Sequence, residues 1–222
     1  MKNCPLCGGK PDVKAGVCTI CGCNLAQTCN KLGLEQEQKQ NFAKAFEYFC
    51  ASAGMGDVCG LEKVARCFED GIGTDKNPQK ALECWTMAGN KGSAYAQYKT
   101  GWTYHCQEDM FLAAEWYKKG VVGGNKQAKK GLCDVAFYML MYPRKGCESQ
   151  DEKLGFDLMT FVADAGETEA YSHLGFCYQR GKGTNVDLQK AKYWFAKAVD
   201  AGEDYFKQYV DEISKQLAEQ QV

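Results

Sequence analysis

Histidine and serine are scarce in this chain, and no long apolar run is present. Its 222 residues hold two histidines, His105 and His173, and five serines. Neither histidine stands in a pattern that pairs it with a Ser or Cys nucleophile. The Ser-x-x-Lys arrangement of serine β-lactamases is missing as well. The third residues after Ser52, Ser93, Ser149, Ser172 and Ser214 are Met55, Ala96, Glu152, Gly175 and Leu217. No window approaches 18 consecutive apolar residues, so no transmembrane helix is expected. The start, Met1-Lys2-Asn3-Cys4-Pro5, develops no apolar run and predicts no signal peptide. With Met1 as the true start, the expected location is cytoplasmic. The formal net charge is -1, which gives no support to a nucleic-acid or acidic-lipid partner.

What is present points to a folded chain. Hydrophobic residues make up 45% of it, which argues against disorder. There are 14 cysteines, and Cys4, Cys7, Cys18, Cys21, Cys23 and Cys29 crowd the beginning. In a secreted chain such a count would read as a disulfide framework. Without a signal peptide, reduced thiols are expected.

Cys4-Pro5-Leu6-Cys7-Gly8 and Cys18-Thr19-Ile20-Cys21-Gly22 form two Cys-x-x-Cys knuckles. Cys4, Cys7, Cys18 and Cys21 supply four thiolates at tetrahedral metal-site spacing, and zinc is the default ion. Glycine after each second cysteine suits a tight turn. Residues 1–23 have too little apolar surface for a core, so the metal would supply most of their folding energy. A rubredoxin-like iron site is the alternative, because thiolates alone do not fix the metal. A redox dithiol would need a βαβ context that the sequence lacks. Cys23 is an alternative ligand to Cys21, although the symmetric spacing favours Cys21. The segment resembles a minimal zinc ribbon. Lys2, Lys10 and Lys14 make it only mildly basic, and it has no aromatic residue to stack on a base, so nucleic-acid contact is not favoured.

The rest of the chain is repetitive. Gly71-Ile72-Gly73-Thr74 with Gln79-Lys80-Ala81 returns as Gly181-Lys182-Gly183-Thr184 with Gln189-Lys190-Ala191. Gly56, Gly92, Gly124, Gly166 and Gly202 close successive units, each preceded by a small residue at Ala45, Ala81, Ala113, Gly155 or Ala191. A second pattern reads Gly60, Val64, Ala65, Phe68, then Ala96, Thr100, Gly101, Tyr104. It continues as Ala128, Leu132, Cys133, Ala136 and as Ala170, Leu174, Gly175, Tyr178. These spacings put each set on one helix face, with a small residue that admits a neighbouring helix. The partner helices carry stripes such as Ala191, Trp194, Phe195, Ala198 and Val199, or Ala113, Trp116 and Tyr117. One hairpin cannot bury both faces, so the hairpins must stack. Five units are expected, at 24–56, 57–92, 93–124, 125–166 and 167–202. Residues 203–222 then form a capping helix through Phe206, Tyr209, Val210, Ile213 and Leu217. The third unit has lost its Gly-x-Gly loop and turns directly through His105–Asp109. The fourth has an insertion near Pro143–Gln150. The Gly-x-Gly loops themselves read as helix ends with left-handed glycines, because the strand-turn-helix setting of a phosphate loop is missing.

This frame resembles the Sel-one-like repeat family, relatives of the tetratricopeptide repeats, over roughly 24–202. The match is strongest in Gly166–Gly202. The resemblance implies an all-α fold, a right-handed α/α superhelical solenoid of helix hairpins preceded by the small zinc ribbon. First helices would line a concave face, and the role implied is that of an adaptor or scaffold. Some relatives are associated with penicillin recognition or β-lactam hydrolysis, and some secreted ones carry regular disulfides, of which a Cys50–Cys59 pair would be a remnant. Otherwise Cys50, Cys59, Cys67, Cys84, Cys106, Cys133, Cys147 and Cys177 read as small core filler.

The expected function is therefore non-enzymatic: a protein or peptide segment bound on the concave face, behind a structural zinc knuckle. The first-helix positions off the buried stripe are Arg66, Tyr95, Tyr98, Lys99, Trp102, Tyr171, His173 and Phe176. Exposed aromatics of this kind either bind a partner or bridge neighbouring hairpins. The competing readings are an enzyme of thiol or β-lactam-hydrolase type and a nucleic-acid adaptor acting through the ribbon. The departures at His105–Asp109 and Pro143–Gln150 are the better places to look for specificity.

Overall fold

A computed structural model of the protein describes residues 3–12 and 15–220. Near the start, β1 (Pro11–Asp12) pairs antiparallel with β2 (Val17–Cys18). The helices that follow are α1 (Leu25–Gln38), α2 (Phe42–Gly54), α3 (Val58–Asp70), α4 (Pro78–Asn90), α5 (Ala94–Cys106) and α6 (Met110–Val122). Then come α7 (Lys126–Met141), α8 (Glu148–Asp164), α9 (Glu169–Arg180), α10 (Leu188–Asp200) and α11 (Lys207–Glu219), with a 3-10 turn at Asp204–Phe206. The fold is all-α, a solenoid-type repeat of helix hairpins. The chain divides into two compact units, residues 1–100 and 101–222, with the boundary falling within the α5 sequence.

Polar caps start the helices where the sequence places short acceptors. The side chains of Asn24, Asp57, Asn77, Asp109, Asn125 and Asp187 each accept the backbone N–H three residues on. Such caps satisfy amides that a helix start leaves without a partner. Asp57 does more. Its Oδ2 also accepts from Asn30 Nδ2 at 2.7 Å and Ser52 Oγ at 3.3 Å, so one carboxylate ties α1, α2 and α3 together.

Packing follows one rule. Each second helix drives a large side chain onto the small residue of its own first helix. Phe49 lies against Gly33, Trp85 against Ala65, and Tyr117 against Gly101. Met159 lies against Cys133, and Phe195 against Gly175. A Cβ at Gly101 would stand 2.7 Å from the Tyr117 ring, and one at Gly175 would stand 2.6 Å from the Phe195 ring. The small position therefore receives the hairpin's own partner first. Tyr117 also reaches on to Gly131 of α7, a small residue outside the repeat pattern. All five large side chains are essentially fully buried, worth about 1.5–3 kcal/mol each in transfer terms. Trp85, which the repeat pattern did not single out, is the largest of them.

The end of the second unit is closed by α11. Ile213 is buried, and the rings of Phe206 and Tyr209 stack on Phe195 at 5.6 and 5.1 Å. The opposite face of α11 is exposed at Lys207, Gln208, Asp211 and Glu212.

The Gly-x-Gly loops are helix ends that also hold hairpins together. Gly71 (φ +73°) and Gly181 (φ +71°) end α3 and α9 in the left-handed region, each donating its N–H to the carbonyl four residues back. The second glycine of each loop, Gly73 or Gly183, also has positive φ and lies directly on a backbone carbonyl of the preceding hairpin. Phe42 provides it at the start of α2, and Glu152 in the first turns of α8. A side chain at either glycine would overlap that carbonyl. The short turns between α1 and α2 and between α5 and α6 manage without glycine, placing Gln40 (φ +59°) and Glu108 (φ +61°) in the left-handed region.

Candidate functional site

Two knuckles of the same construction bring the N-terminal thiols together. Gly8 donates its N–H to the Cys4 carbonyl at 2.9 Å, and Gly22 does the same to Cys18 at 2.9 Å. Both glycines have positive φ. The hairpin of β1 and β2 then folds one knuckle onto the other. The sulfur atoms of Cys4, Cys7, Cys18 and Cys21 all lie within 4.8 Å of one another. Individual separations are 3.8 Å for Cys4–Cys21, 3.4 Å for Cys7–Cys18 and 3.5 Å for Cys7–Cys21. A tetrahedron with Zn–S bonds of about 2.3 Å has sulfur–sulfur edges of about 3.8 Å. The four thiols therefore fit a tetrahedral metal ion. Cys23 Sγ lies 3.6 Å from Cys4 Sγ, at the edge of this group.

The same amides and thiols tune the acidity of the cluster. Burial pushes the Cys4 thiol up. Hydrogen bonds from the Cys7 and Leu6 amides and from neighbouring thiols outweigh it and bring Cys4 down to about 6. At Cys7 the Gly9 amide lowers the value, but bonds to the Cys18 and Cys21 sulfurs drive it up to about 12. Cys4 and Cys21 are both lowered, by backbone amides and neighbouring thiols, which favours the thiolate form that a metal ion needs.

The first-helix candidates fall into two groups, one in each compact unit. In the first unit, Arg66 stacks on Tyr95 at 5.2 Å and Tyr95 stands edge-on to Trp85 at 5.6 Å. Tyr98 lies 6.1 Å from Tyr95, and Lys99 pairs with Glu69 at 3.0 Å. Tyr95 is thus largely packing, and Arg66 remains exposed. In the second unit, Trp102 is 45% exposed. Tyr171 stacks against Trp194 at 5.7 Å, and Phe176 packs edge-on to Phe195 at 5.0 Å. His173 lies 4.8 Å from the Phe137 ring. Burial pushes its imidazole below the ordinary value, with Glu169 and Asp134 opposing.

His173 and Phe176 line a cavity of about 330 Å³ between α7 and α9. Phe137, Leu140, Met141, Cys177, Arg180 and Lys182 complete it. The spacing 137, 140, 141 meets 173, 176, 177, 180, two helix stripes face to face. Sequence reasoning missed the α7 half of this stripe, although the same i, i+3, i+4 count would have found it.

A second cavity, about 390 Å³, lies where the third and fourth units depart from the common frame. Arg144, from the inserted stretch, donates from its backbone N–H, Nε and Nη2 to Asp151 at 2.8, 2.9 and 2.7 Å. The Arg144 hydrogen bonds hold the buried Asp151 carboxyl below the usual carboxylate range. The guanidinium lies 4.1 Å from the Phe111 ring, in the first turn of α6. Phe42 and Glu152 occupy the corresponding turns of α2 and α8, where a glycine loop sits directly on the backbone. Here an arginine side chain covers the turn and leaves space beside Glu108, Met110, Tyr138 and Tyr142.

The Sel1 repeat pattern matches residues 23–57, 60–93, 94–121 and 168–203, more than half of the chain. The chain belongs to the Sel1 repeat family. Residues 125–166, which carry the insertion, lie outside the matched stretches. Among curated relatives, the chain is 27% identical to mouse "DAP3-binding cell death enhancer 1" over 82% of its own length and 35% of that protein. It is 32% identical to the yeast "Chitin synthase regulator SKT5" over 72% of its length and 23% of that protein. It therefore spans only about a quarter to a third of these relatives. A solved Sel1 repeat protein from Oxalobacter formigenes shares the fold, with a TM-score of 0.57 at 21% identity, over 79% of this chain and 73% of that one. Sel1 repeat proteins are in general protein-interaction scaffolds. All 14 cysteines, Cys50 and Cys59 included, are free thiols. Among the described residues, no helix is long and apolar enough to cross a membrane.

Proposed function

We propose that this Sel1 repeat chain is a non-enzymatic scaffold that holds a protein segment against its first helices. Its N-terminal ribbon would carry one structural zinc ion on Cys4, Cys7, Cys18 and Cys21. The observation that carries the scaffold reading is the open apolar cavity between α7 and α9, lined by His173 and Phe176 from the predicted set. An apolar hollow with a few polar groups at its rim is how binding sites combine affinity with orientation. Trp102 occupies the same place in its repeat as Phe176 and offers a second aromatic contact. Four thiolates close the coordination shell of zinc, so the ion would hold the ribbon together and leave no open position for chemistry.

A thiol-enzyme role for Cys177 is disfavoured by its surroundings. Burial pushes this thiol up to about 12, so it stays protonated at neutral pH. The scaffold reading is tested by isothermal titration of a captured protein segment against wild type and Trp102→Ala. A drop in affinity with an unchanged melting temperature is expected. An equal fall in melting temperature would make Trp102 a packing residue and remove it from the binding face.

A further inference from the structure

We infer that the α7–α9 cavity takes an apolar side chain that stands next to an acidic residue in an extended protein segment. This rests on the scaffold reading above and names the chemistry of its partner. The floor is apolar and buried: Leu140 is 1% and Cys177 4% exposed. The walls stay open, with Phe137 38% and Met141 40% exposed. About 330 Å³ is room for one large aliphatic or aromatic side chain. Burial favours the neutral form of His173, so the inner polar group adds no fixed charge at neutral pH.

Charge at the rim selects what adjoins that side chain. Arg180 and Lys182 stand there. Lys182 is partly neutralised by Glu152 at 3.8 Å. Arg180 rests its guanidinium on the Phe176 ring at 5.1 Å and has no carboxylate within ion-pair distance among the described residues. Its planar donors are thus oriented by the ring and available to a carboxylate. The Arg180 guanidinium at the rim of an apolar hollow complements a segment that carries an acidic residue beside its apolar one, and a basic residue there would be rejected.

Selection from a phage-displayed library of random peptides on the immobilised full chain tests this. Peptides with Phe, Leu, Met or Trp beside Asp or Glu should be enriched. Affinities of a synthesised winner are then measured by fluorescence anisotropy. Arg180→Glu should weaken binding about tenfold, and replacing the peptide's acidic residue with Lys should recover much of the loss. Met141→Trp, which fills the hollow, should abolish binding while the melting temperature stays near that of wild type. Winners without an acidic neighbour, or equal affinity for Arg180→Glu, overturn the inference. Winners that lose affinity on Trp102→Ala but not on Arg180→Glu or Met141→Trp also overturn it, and leave the scaffold reading standing. No enrichment at all removes both.

Discussion

Cysteine leads two different lives in this protein, and the contrast separates the ribbon from the helices. In the ribbon, thiols face one another, backbone amides point at sulfur, and Cys4 falls to about 6. In the helices, Cys67, Cys133 and Cys177 fill small holes in the core, whereas Cys59 and Cys106, expected as filler, lie exposed because their positions face away from the packed stripes. Burial, helped by nearby carboxylates, pushes Cys67 up to about 11 and Cys133 and Cys177 up to about 12. The residue is the same, and the dielectric and the donors decide whether it is a ligand or filler. The lesson extends to stability. The helical hairpins bury aromatic side chains from their own sequence, whereas the described ribbon residues pack on sulfur, Leu25, Met55 and a two-residue ladder, with no buried ring.

The largest effect should come from breaking the ribbon. Cys18→Ser is expected to reduce bound zinc from one per chain to near zero, removing a binding energy of about 10–16 kcal/mol from that segment. Elemental analysis and hydrogen exchange would show loss of metal and of protection in the ribbon, with the far-ultraviolet helical signal unchanged. A mutant that keeps its metal would point to Cys23 as a substitute ligand. The next effect tests the other side of the comparison. Phe195→Ala removes a fully buried ring from between α9 and α11, and should cost about 3–5 kcal/mol in urea unfolding. The same experiment should show little change in bound zinc. If zinc falls with it, the ribbon and the helices are not energetically separate.

The smallest effect concerns the filler thiols. Their folded-state values lie above the ordinary thiol value of 9.0. They therefore contribute stability that is fully present below the unfolded value and lost as pH rises toward the folded one. Urea unfolding between about pH 8 and 10.5 should show stability falling with pH, with a shallower slope in Cys177→Ala. An unchanged slope would mean that Cys177 ionises as freely in the folded chain as in the unfolded one.

The helical frame was legible because its signals are local. Leu32-Gly33 and Leu174-Gly175 mark first helices, and Asp57, Asn77 and Asp187 mark starts that any reader of caps would accept. Cys4, Cys7, Cys18 and Cys21 were legible because metal spacing is itself a short-range code. The α7–α9 cavity was not, since it needs Phe137 and Met141 of one hairpin to face His173 and Arg180 of the next. Spacing within one helix cannot reveal which stripe lies opposite. Tyr95 and Phe176 show the same limit: both looked like surface aromatics, and both spend much of their area on Trp85, Phe195 and Tyr209. The Arg144–Asp151 contact escaped notice because an insertion has no repeat to be compared with.

Gly73 and Gly183 each lie on a carbonyl of the hairpin that came before them in the chain. That gives assembly a direction. A hairpin leaving the ribosome finds its landing surface already made, and completes its own loop only against it. Where the glycine is replaced by the side-chain contact of Arg144, the same step must first order a longer side chain on Asp151 and Phe111. Docking of the fourth unit is therefore expected to be slower than that of the second and the fifth, whose loops need only a glycine laid on a carbonyl.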